Sequence, residues 1–189
     1  MNKRDLAIPR LGDQTFISNG LDAEVAYLHR GGSFWGYALG FKSAADILVQ
    51  QAVDGGAVID SVVYPICFLY RHYIELTLKA LAKQAAQLSS TPGREPDHKI
   101  IPLWKTIRKA VDTGGDTADL DAVEETLREW DRYDRGSLTF RYPTKKGSEE
   151  TTIPEDLTNI NLAHIADQVA KLDNFFAGLD GYFDDLLSP

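Results

Sequence analysis

Residues 62–81 read VVYPICFLYRHYIELTLKAL, an almost continuously apolar stretch that contains four ionisable side chains. At about 100° of rotation per residue, a helix places these side chains in roughly one quadrant together with two aromatic rings. The quadrant contains Tyr64, Phe68, Arg71, His72, Glu75 and Lys79. A helix that is apolar around most of its circumference is normally buried in the centre of a domain. Its charged groups must then be paired, lie at an interface or line a cleft.

The chain before this stretch predicts a second long helix at residues 34–53. Ser33 is positioned to cap its start, and the glycines at 55–56 are positioned to end it. The central helix should start between residues 60 and 64, because Pro65 belongs in the early part of a helix, and it should run to about residue 88.

Three further helical segments follow, at residues 98–111, 120–134 and about 157–187. Asp97 should cap the first of them. Gly178 and Gly181 should weaken the last segment and could kink or divide it. We expect the last segment to be the main packing partner of the central helix, because these two carry the longest apolar lines.

A different pattern appears at residues 138–153, where two short β-prone runs flank a polar tip at residues 144–148. This pattern is typical of a small β-hairpin, and Pro143 argues against a long strand. We therefore expect an all-α fold, an up-and-down bundle of about four to five helices with the hairpin as an insertion. The bundle would form one domain at residues 33–189. Residues 1–32, which proline and glycine interrupt, would form an N-terminal arm.

The composition limits the classes of partner. The chain has 189 residues and a formal net charge of -8, which argues against a broad surface for nucleic acid or anionic membrane but allows a local basic groove. Cys67 is the one cysteine, so no intramolecular disulfide can form. The sequence shows no apolar run of signal-peptide length at its start and no uncharged segment that could span a bilayer. We therefore expect a cytoplasmic protein that does not bind membranes.

The polar stripe formed by Arg71, His72, Glu75 and Lys79 is the strongest candidate site. Glu75 stands four residues from Arg71 and Lys79 and three from His72, which brings the side chains within contact range on a helix. One interpretation is an ion-paired seam that faces solvent or a partner subunit. In the other interpretation, Arg71 holds a phosphate with help from Lys79. His72 or Glu75 would then transfer a proton near neutral pH.

The hairpin region and one histidine provide further candidates. A strand would turn Arg141 and its aromatic neighbours, Phe140 and Tyr142, to opposite faces. Arg141, Tyr142 and Lys145 would then make a local positive site for a phosphate or an acidic partner. Alternatively, the aromatic rings anchor the hairpin and Arg141 reaches water. His98 starts a predicted helix, where backbone N–H groups favour anions, so it is either a catalytic candidate or a side chain of the capping region.

Several familiar motifs are missing. The sequence has no G-x-x-x-x-G-K-[ST] loop, no G-x-G-x-x-G after a strand and no H-E-x-x-H helix. One cysteine and four histidines show no spacing of zinc ligands. Asp131 and Asp134 could bind a hard cation as a pair, but the interleaved Arg132 and Arg135 favour ion pairing. We expect neither a metal nor a cofactor.

The chain resembles bacterial proteins related to the HEPN superfamily of helical bundles. The features that carry the resemblance are residues 70–79, His98 with Leu103 and Trp104, residues 140–143, and the closing helix. The resemblance covers residues 33–187 and implies a bundle, often dimeric, found in toxin–antitoxin, abortive-infection and other phage-defence systems. Active members cut RNA without a metal. A homodimer would use Trp35, Tyr37 and Phe41 of the first helix as part of its surface.

Active HEPN nucleases carry an arginine and a histidine with four to six residues between them, and no pair here has that spacing. Arg71 and His72 are adjacent, and three residues lie between Arg94 and His98. Two functions of different class therefore stay open. The first is a divergent metal-independent ribonuclease that uses the polar stripe with His98 and Arg141. The second is a non-catalytic binding or adapter protein that acts through protein–protein contacts, which the missing spacing and the acidic charge favour.

Overall fold

The computed structural model describes residues 33–89 and 98–188, together with residue 9 and residues 11–16, 20–21, 23 and 25–28. The chain divides into two compact units, residues 1–30 and residues 31–189. The role of the first residues as an arm stays a prediction.

Helices dominate the described part of the second unit, which confirms the predicted all-α fold class. The five helices found there are α1 (Phe34–Val53), α2 (Ile59–Leu88), α3 (Ile100–Val111), α4 (Ala118–Asp134) and α5 (Leu162–Leu187). Helix α2 packs against α1, α3 and α5, and α4 packs against α3. The helix that contains the polar stripe is therefore the central element, as its apolar circumference indicates.

Helix α1 has the predicted bounds because both of its ends carry clear signals. Ser33 Oγ accepts a hydrogen bond from the backbone N–H of Gly36 at 3.2 Å, which satisfies one of the free donors at the helix start. Beyond the other end, Gly55 adopts a φ of 76° that favours glycine. Helix α2 starts at Ile59, slightly before the predicted range, and Pro65 lies inside it without dividing it.

The main packing partner of α2 is α1, so the prediction of the C-terminal helix was wrong. Ala38, Ala45 and Ala52 are buried along α1. Their small side chains let the two helices approach closely, and the short connection at residues 54–58 keeps them adjacent. Long apolar lines indicate that a helix is buried, but they do not identify the neighbour that covers it.

Helices α3 and α4 are joined by a buried indole. Trp104 of α3 has an exposed fraction of 0%, and its Nε1 donates to Glu124 Oε2 of α4 at 3.2 Å. This bond satisfies the one polar atom of a large apolar side chain. The predicted cap of α3, Asp97, lies outside the described residues.

Helix α5 is continuous and starts later than predicted. Asn161 Oδ1 accepts the backbone N–H of His164 at 3.0 Å and so caps the helix start. Neither Gly178 nor Gly181 divides the helix.

The predicted β-hairpin at residues 138–153 is wrong, because the described residues contain no strand. One isolated antiparallel bridge joins Thr144 to Thr151. Pro143 has no N–H to donate to a ladder. A bridge without a third strand to support it is too small to extend into a hairpin.

The segment before the bridge is a turn. The carbonyl oxygen of Leu138 accepts the N–H groups of Arg141 at 3.1 Å and Tyr142 at 3.2 Å. The strand alternation predicted for Arg141 is therefore wrong, and its two aromatic neighbours differ, since Phe140 is buried and Tyr142 is exposed. The connection between α4 and α5 is irregular and presents Arg141 beside Tyr142.

Among the described helices, none has both the length and the apolar character needed to cross a bilayer. In α2, the polar stripe interrupts the apolar run, and two of its members, Arg71 and Glu75, are buried. Buried charges require partners.

Candidate functional site

Arg71 lies buried in α2 where two other segments meet the helix. Its exposed fraction is 0%. The guanidinium donates from Nε to the carbonyl oxygen of Asp134 at 3.1 Å and from Nη2 to the carbonyl oxygen of His98 at 2.7 Å. A third bond runs from Nη1 to Glu75 Oε2 at 3.3 Å. Arg71 thus ties α2 to the end of α4 and to the residues before α3, and it leaves no face open to a phosphate.

Glu75 connects the cations of this network. Its side chain is 1% exposed, Oε1 accepts from Lys79 Nζ at 2.9 Å, and the same oxygen lies 2.9 Å from His98 Nδ1. Burial alone raises the pKa of Glu75. The hydrogen bonds from Lys79 and His98 and the charges of Lys79 and Arg71 outweigh burial and lower the pKa below its ordinary value of 4.5. Glu75 is therefore a carboxylate at neutral pH and balances the buried arginine.

Lys79 and His98 form the accessible edge of the network. Their side chains are 22% and 71% exposed. The imidazole of His98 is held through Nδ1 by Glu75, and no described residue bonds its other ring nitrogen. The structure thus brings Arg71, Glu75, Lys79 and His98 together. The sequence indicated these residues as parts of one candidate site but did not show how they contact one another.

The interpretation of the polar stripe as a seam facing solvent is wrong for Arg71 and Glu75. Both are covered in the bundle interior, and backbone oxygens of two other segments complete the bonding of Arg71. The spacing of charges along a helix predicts which side chains can pair. It does not predict which loops cover them.

His72 is separated from this network. Its ring meets the Phe41 ring edge-on at 4.4 Å between centroids and stacks on the Phe68 ring at 5.8 Å with an interplanar angle of 12°. The predicted pairing with Glu75 is replaced by these aromatic contacts. Burial lowers the pKa of His72, and the charges of Lys79 and Arg71 also lower it. The Glu75 carboxylate acts in the opposite direction, but the pKa stays below its ordinary value of 6.5. The aromatic cage that Phe41 and Phe68 form around His72 therefore favours the neutral imidazole.

We expect the free energy of unfolding to fall as the pH drops below about 6.5, and His72 to contribute to that fall. The pKa of His72 is lower in the folded chain than its ordinary value of 6.5, so protons bind the unfolded chain more readily. The stability contributed by the neutral ring is complete above that value and is lost as the pH falls through the lower folded pKa. Chemical denaturation at several pH values measures this effect. The free energy of unfolding should depend less on pH in His72→Gln than in wild type.

The matched control for this measurement is His164, an exposed histidine of α5. His164→Gln should leave the pH dependence unchanged. If the free energy of unfolding changed equally with pH in wild type and His72→Gln, the predicted role of the aromatic cage would be contradicted.

Arg141 and Tyr142 lie beside the aromatic cage. The Cζ atom of Arg141 lies 5.6 Å from the Phe68 ring centroid and 5.4 Å from the Tyr142 ring centroid, and its Nε donates to the carbonyl oxygen of Ser137. These contacts extend the cage into a continuous row across α1, α2 and the connection between α4 and α5. This aromatic–arginine row consists of Phe41, His72, Phe68, Arg141 and Tyr142.

An open groove of about 920 Å³ lies beside Tyr142. Leu138, Tyr142 and Thr152 are among its lining residues, as is Lys145, the last predicted substrate-binding residue. The Lys145 ammonium pairs with the Glu150 carboxylate. Its charge is therefore neutralised locally.

Asp134 is a buried carboxylate whose role the sequence did not reveal. Its Oδ1 accepts the N–H groups of Leu138 at 2.7 Å and Thr139 at 2.9 Å, so it holds the turn that carries Arg141. Its Oδ2 has no partner among the described residues. The ion pairing predicted for this region is found for Asp131, which lies 3.8 Å from Arg135 Nε.

A second polar network, which sequence reasoning missed, joins α1, α2 and α5. Lys42 Nζ lies 2.9 Å from Asp46 Oδ2 and 3.6 Å from Asp173 Oδ2. The hydroxyls of Tyr70 and Tyr73 donate to Asp46 at 2.7 Å and to Asp173 at 2.6 Å. Only the spacing of Lys42 and Asp46 was a visible signal in the sequence. The buried tyrosines make this network structural.

Neither metal binding nor thiol chemistry gains support from the described residues. They include no group of three or more histidine, cysteine, aspartate or glutamate side chains that could hold a metal ion. Cys67 is buried, and burial raises the pKa of its thiol to about 12. A thiol in this state is a poor nucleophile.

Comparison of the chain with protein-family models, with curated proteins and with solved structures finds no match. The HEPN resemblance therefore stays a prediction from the sequence.

Proposed function

We propose that this chain is a HEPN-like helical protein of a bacterial toxin or phage-defence system that acts by binding a protein partner and does not cut RNA. One observation carries the proposal. Arg71 and Glu75, which a phosphate site in the polar stripe would need, are buried and bonded to each other and to backbone groups.

Metal-independent RNA cleavage needs a cation against the phosphate and a positioned proton carrier. Arg71 would have to leave a buried ion pair to reach a phosphate, which costs several kcal/mol. His72 lies between aromatic rings. The net charge of -8 adds repulsion between the chain and RNA. These features favour the non-catalytic function.

The ribonuclease is a second candidate because of one contact, between His98 Nδ1 and Glu75 Oε1 at 2.9 Å. A buried carboxylate at Nδ1 fixes the tautomer and the orientation of an imidazole and leaves Nε2 to exchange a proton with substrate. Lys79, which is partly exposed beside Glu75, would be the cation nearest the phosphate. In this version, Glu75 and Arg71 would position His98 and would not touch RNA.

A cleavage assay with labelled single-stranded RNA in the presence of EDTA tests the proposal. We expect no cleavage by highly purified wild type. Cleavage that falls at least about a hundredfold in His98→Ala, the lower end of what acid–base catalysis supplies, would overturn the proposal if His164→Ala cuts normally. Equal cleavage in all three proteins would indicate a contaminating nuclease.

Self-association as a homodimer stays a prediction from the resemblance. Of the three residues expected at the surface, Tyr37 is exposed, whereas Trp35 and Phe41 pack partly against the core. Tyr37 would therefore be the main aromatic contact of such a surface.

A further inference from the structure

We propose that Arg141 anchors a docking site for a carboxylate of a protein partner, with apolar side chains of the partner packing on Tyr142 and Leu138. The proposal rests on the proposed binding function and names the chemistry that the partner must present.

The first observation is that Arg141 forms no ion pair with a carboxylate of the described residues. Six arginines lie within the described residues. Five of them form ion pairs with carboxylates, namely Arg71, Arg108, Arg128, Arg132 and Arg135. Arg141 is exposed and has no carboxylate within 4.0 Å among the described residues. In a chain with an excess of eight negative charges, an arginine without a carboxylate is available to a partner that brings one.

The second observation is that the guanidinium is already held in place. The rings of Phe68 and Tyr142 contact it at 5.6 Å and 5.4 Å from their centroids. The Nε–H donates to the carbonyl oxygen of Ser137. These contacts use the flat face and one donor, and no described residue bonds Nη1 or Nη2. A guanidinium that is fixed before binding loses less side-chain entropy when a carboxylate binds to it in a bidentate manner.

The third observation concerns the surface near the Arg141 guanidinium. Leu138 and Tyr142 are exposed and line the open groove of about 920 Å³. The turn that presents them is held by the buried Asp134 through the N–H groups of Leu138 and Thr139. An arginine and a tyrosine beside an apolar recess are typical of the residues that dominate protein–protein interfaces.

The local charges favour a single carboxylate over a nucleic acid. Binding to nucleic acid draws on several phosphate contacts at once. Near Arg141, Lys145 is neutralised by Glu150, and Glu149 lines the same groove as Lys146. Lys145 and Lys146 are thus balanced by two carboxylates, so a phosphate backbone would find no further net positive charge beyond Arg141. A peptide with one acidic residue between apolar residues needs no further positive charge.

The test uses two N-acetylated, C-amidated tripeptides, Leu-Asp-Leu and Leu-Asn-Leu, titrated into the full chain labelled with ¹⁵N. We expect the aspartate peptide to bind at least about tenfold more tightly, which corresponds to about 1.4 kcal/mol. Hydrogen bonds to charged groups supply a difference of this size. Equal dissociation constants for the two peptides would overturn the proposal, and this comparison needs no variant.

Two variants locate the site. Arg141→Gln should abolish the preference for aspartate, and the matched control Arg135→Gln, an exposed arginine already paired with Asp131, should keep it. Circular dichroism checks that both variants remain folded. A preference that survives Arg141→Gln would overturn the assignment of the site.

A hexamer of uridylate is the third probe. We expect it to bind no more tightly than the asparagine peptide. Displacement of the aspartate peptide by the hexamer, lost in Arg141→Gln, would assign the site to nucleic acid and overturn the proposal. Failure of the proposed function is seen separately, as RNA cleavage that depends on His98, and it would leave the peptide preference unchanged.

Discussion

Replacing Glu75 by alanine is expected to lower the free energy of unfolding by about 3 kcal/mol or more. The guanidinium of Arg71 would stay buried, with an exposed fraction of 0%, and would lose the one carboxylate that pairs with it among the described residues. Lys79 and His98 reach solvent, so their loss of Glu75 costs little. The large cost comes from Arg71, because an unpaired buried charge is strongly destabilising.

Chemical denaturation at neutral pH measures this loss. Glu129, which is exposed on α4, provides the matched control, and Glu129→Ala should change the free energy of unfolding by under about 0.5 kcal/mol. A change of less than about 1 kcal/mol in Glu75→Ala would mean that the backbone oxygens alone stabilise Arg71.

The pH dependence of this contribution has a defined sign. The pKa of Glu75 is lower in the folded chain than its ordinary value of 4.5. Its stabilising effect is therefore fully present above that value and is lost as the pH falls through the lower folded pKa. The difference in the free energy of unfolding between wild type and Glu75→Gln should therefore shrink as the pH falls from 4.5 through the folded pKa of Glu75.

Local signals in the sequence predicted much of the fold. Ser33 and Gly55 mark the ends of α1 because capping depends on neighbouring residues. The apolar circumference of α2 predicted its central place. The pairing of Glu75 with Arg71 and Lys79 followed from helical spacing. Each of these features is set within a single helix, by the spacing of its side chains and by the residues at its ends.

The features that the sequence did not predict are mostly contacts between distant segments. His98 reaches Glu75 across 23 positions in the chain, and the carbonyl of Asp134 meets Arg71 across 63. The periodicity of apolar residues in a sequence does not reveal contacts between residues so far apart in the chain. His72 shares a quadrant with Glu75 but turns to Phe41 of α1, since the packing of two helices decides which edge of a stripe meets which neighbour. The β-prone run before Pro143 became a turn, because two short segments without a third strand to support them are too few to form a stable hairpin.

The second large effect is expected from Arg71→Met, which should cost about 3 kcal/mol. Methionine fills much of the same volume but donates no hydrogen bond. The carbonyl oxygen of His98 then loses its donor, that of Asp134 loses its bond to Arg71, and Glu75 loses one of its cations. Buried acceptors left without donors each cost about 1–3 kcal/mol. Denaturation of Arg71→Met beside wild type measures the sum of these losses.

A double-mutant cycle separates the ion pair from the backbone bonds. In wild type, Glu75→Leu should cost at least about 3 kcal/mol, because Arg71 is left buried without a carboxylate. In the Arg71→Met background no buried cation remains among the described residues, so the same Glu75→Leu change should cost under about 1 kcal/mol. The resulting coupling energy of about 2 kcal/mol lies in the range found for residues in direct contact. Losses that add within about 0.5 kcal/mol would show that Arg71 and Glu75 act independently, and the backbone oxygens would then be the main partners of the buried arginine.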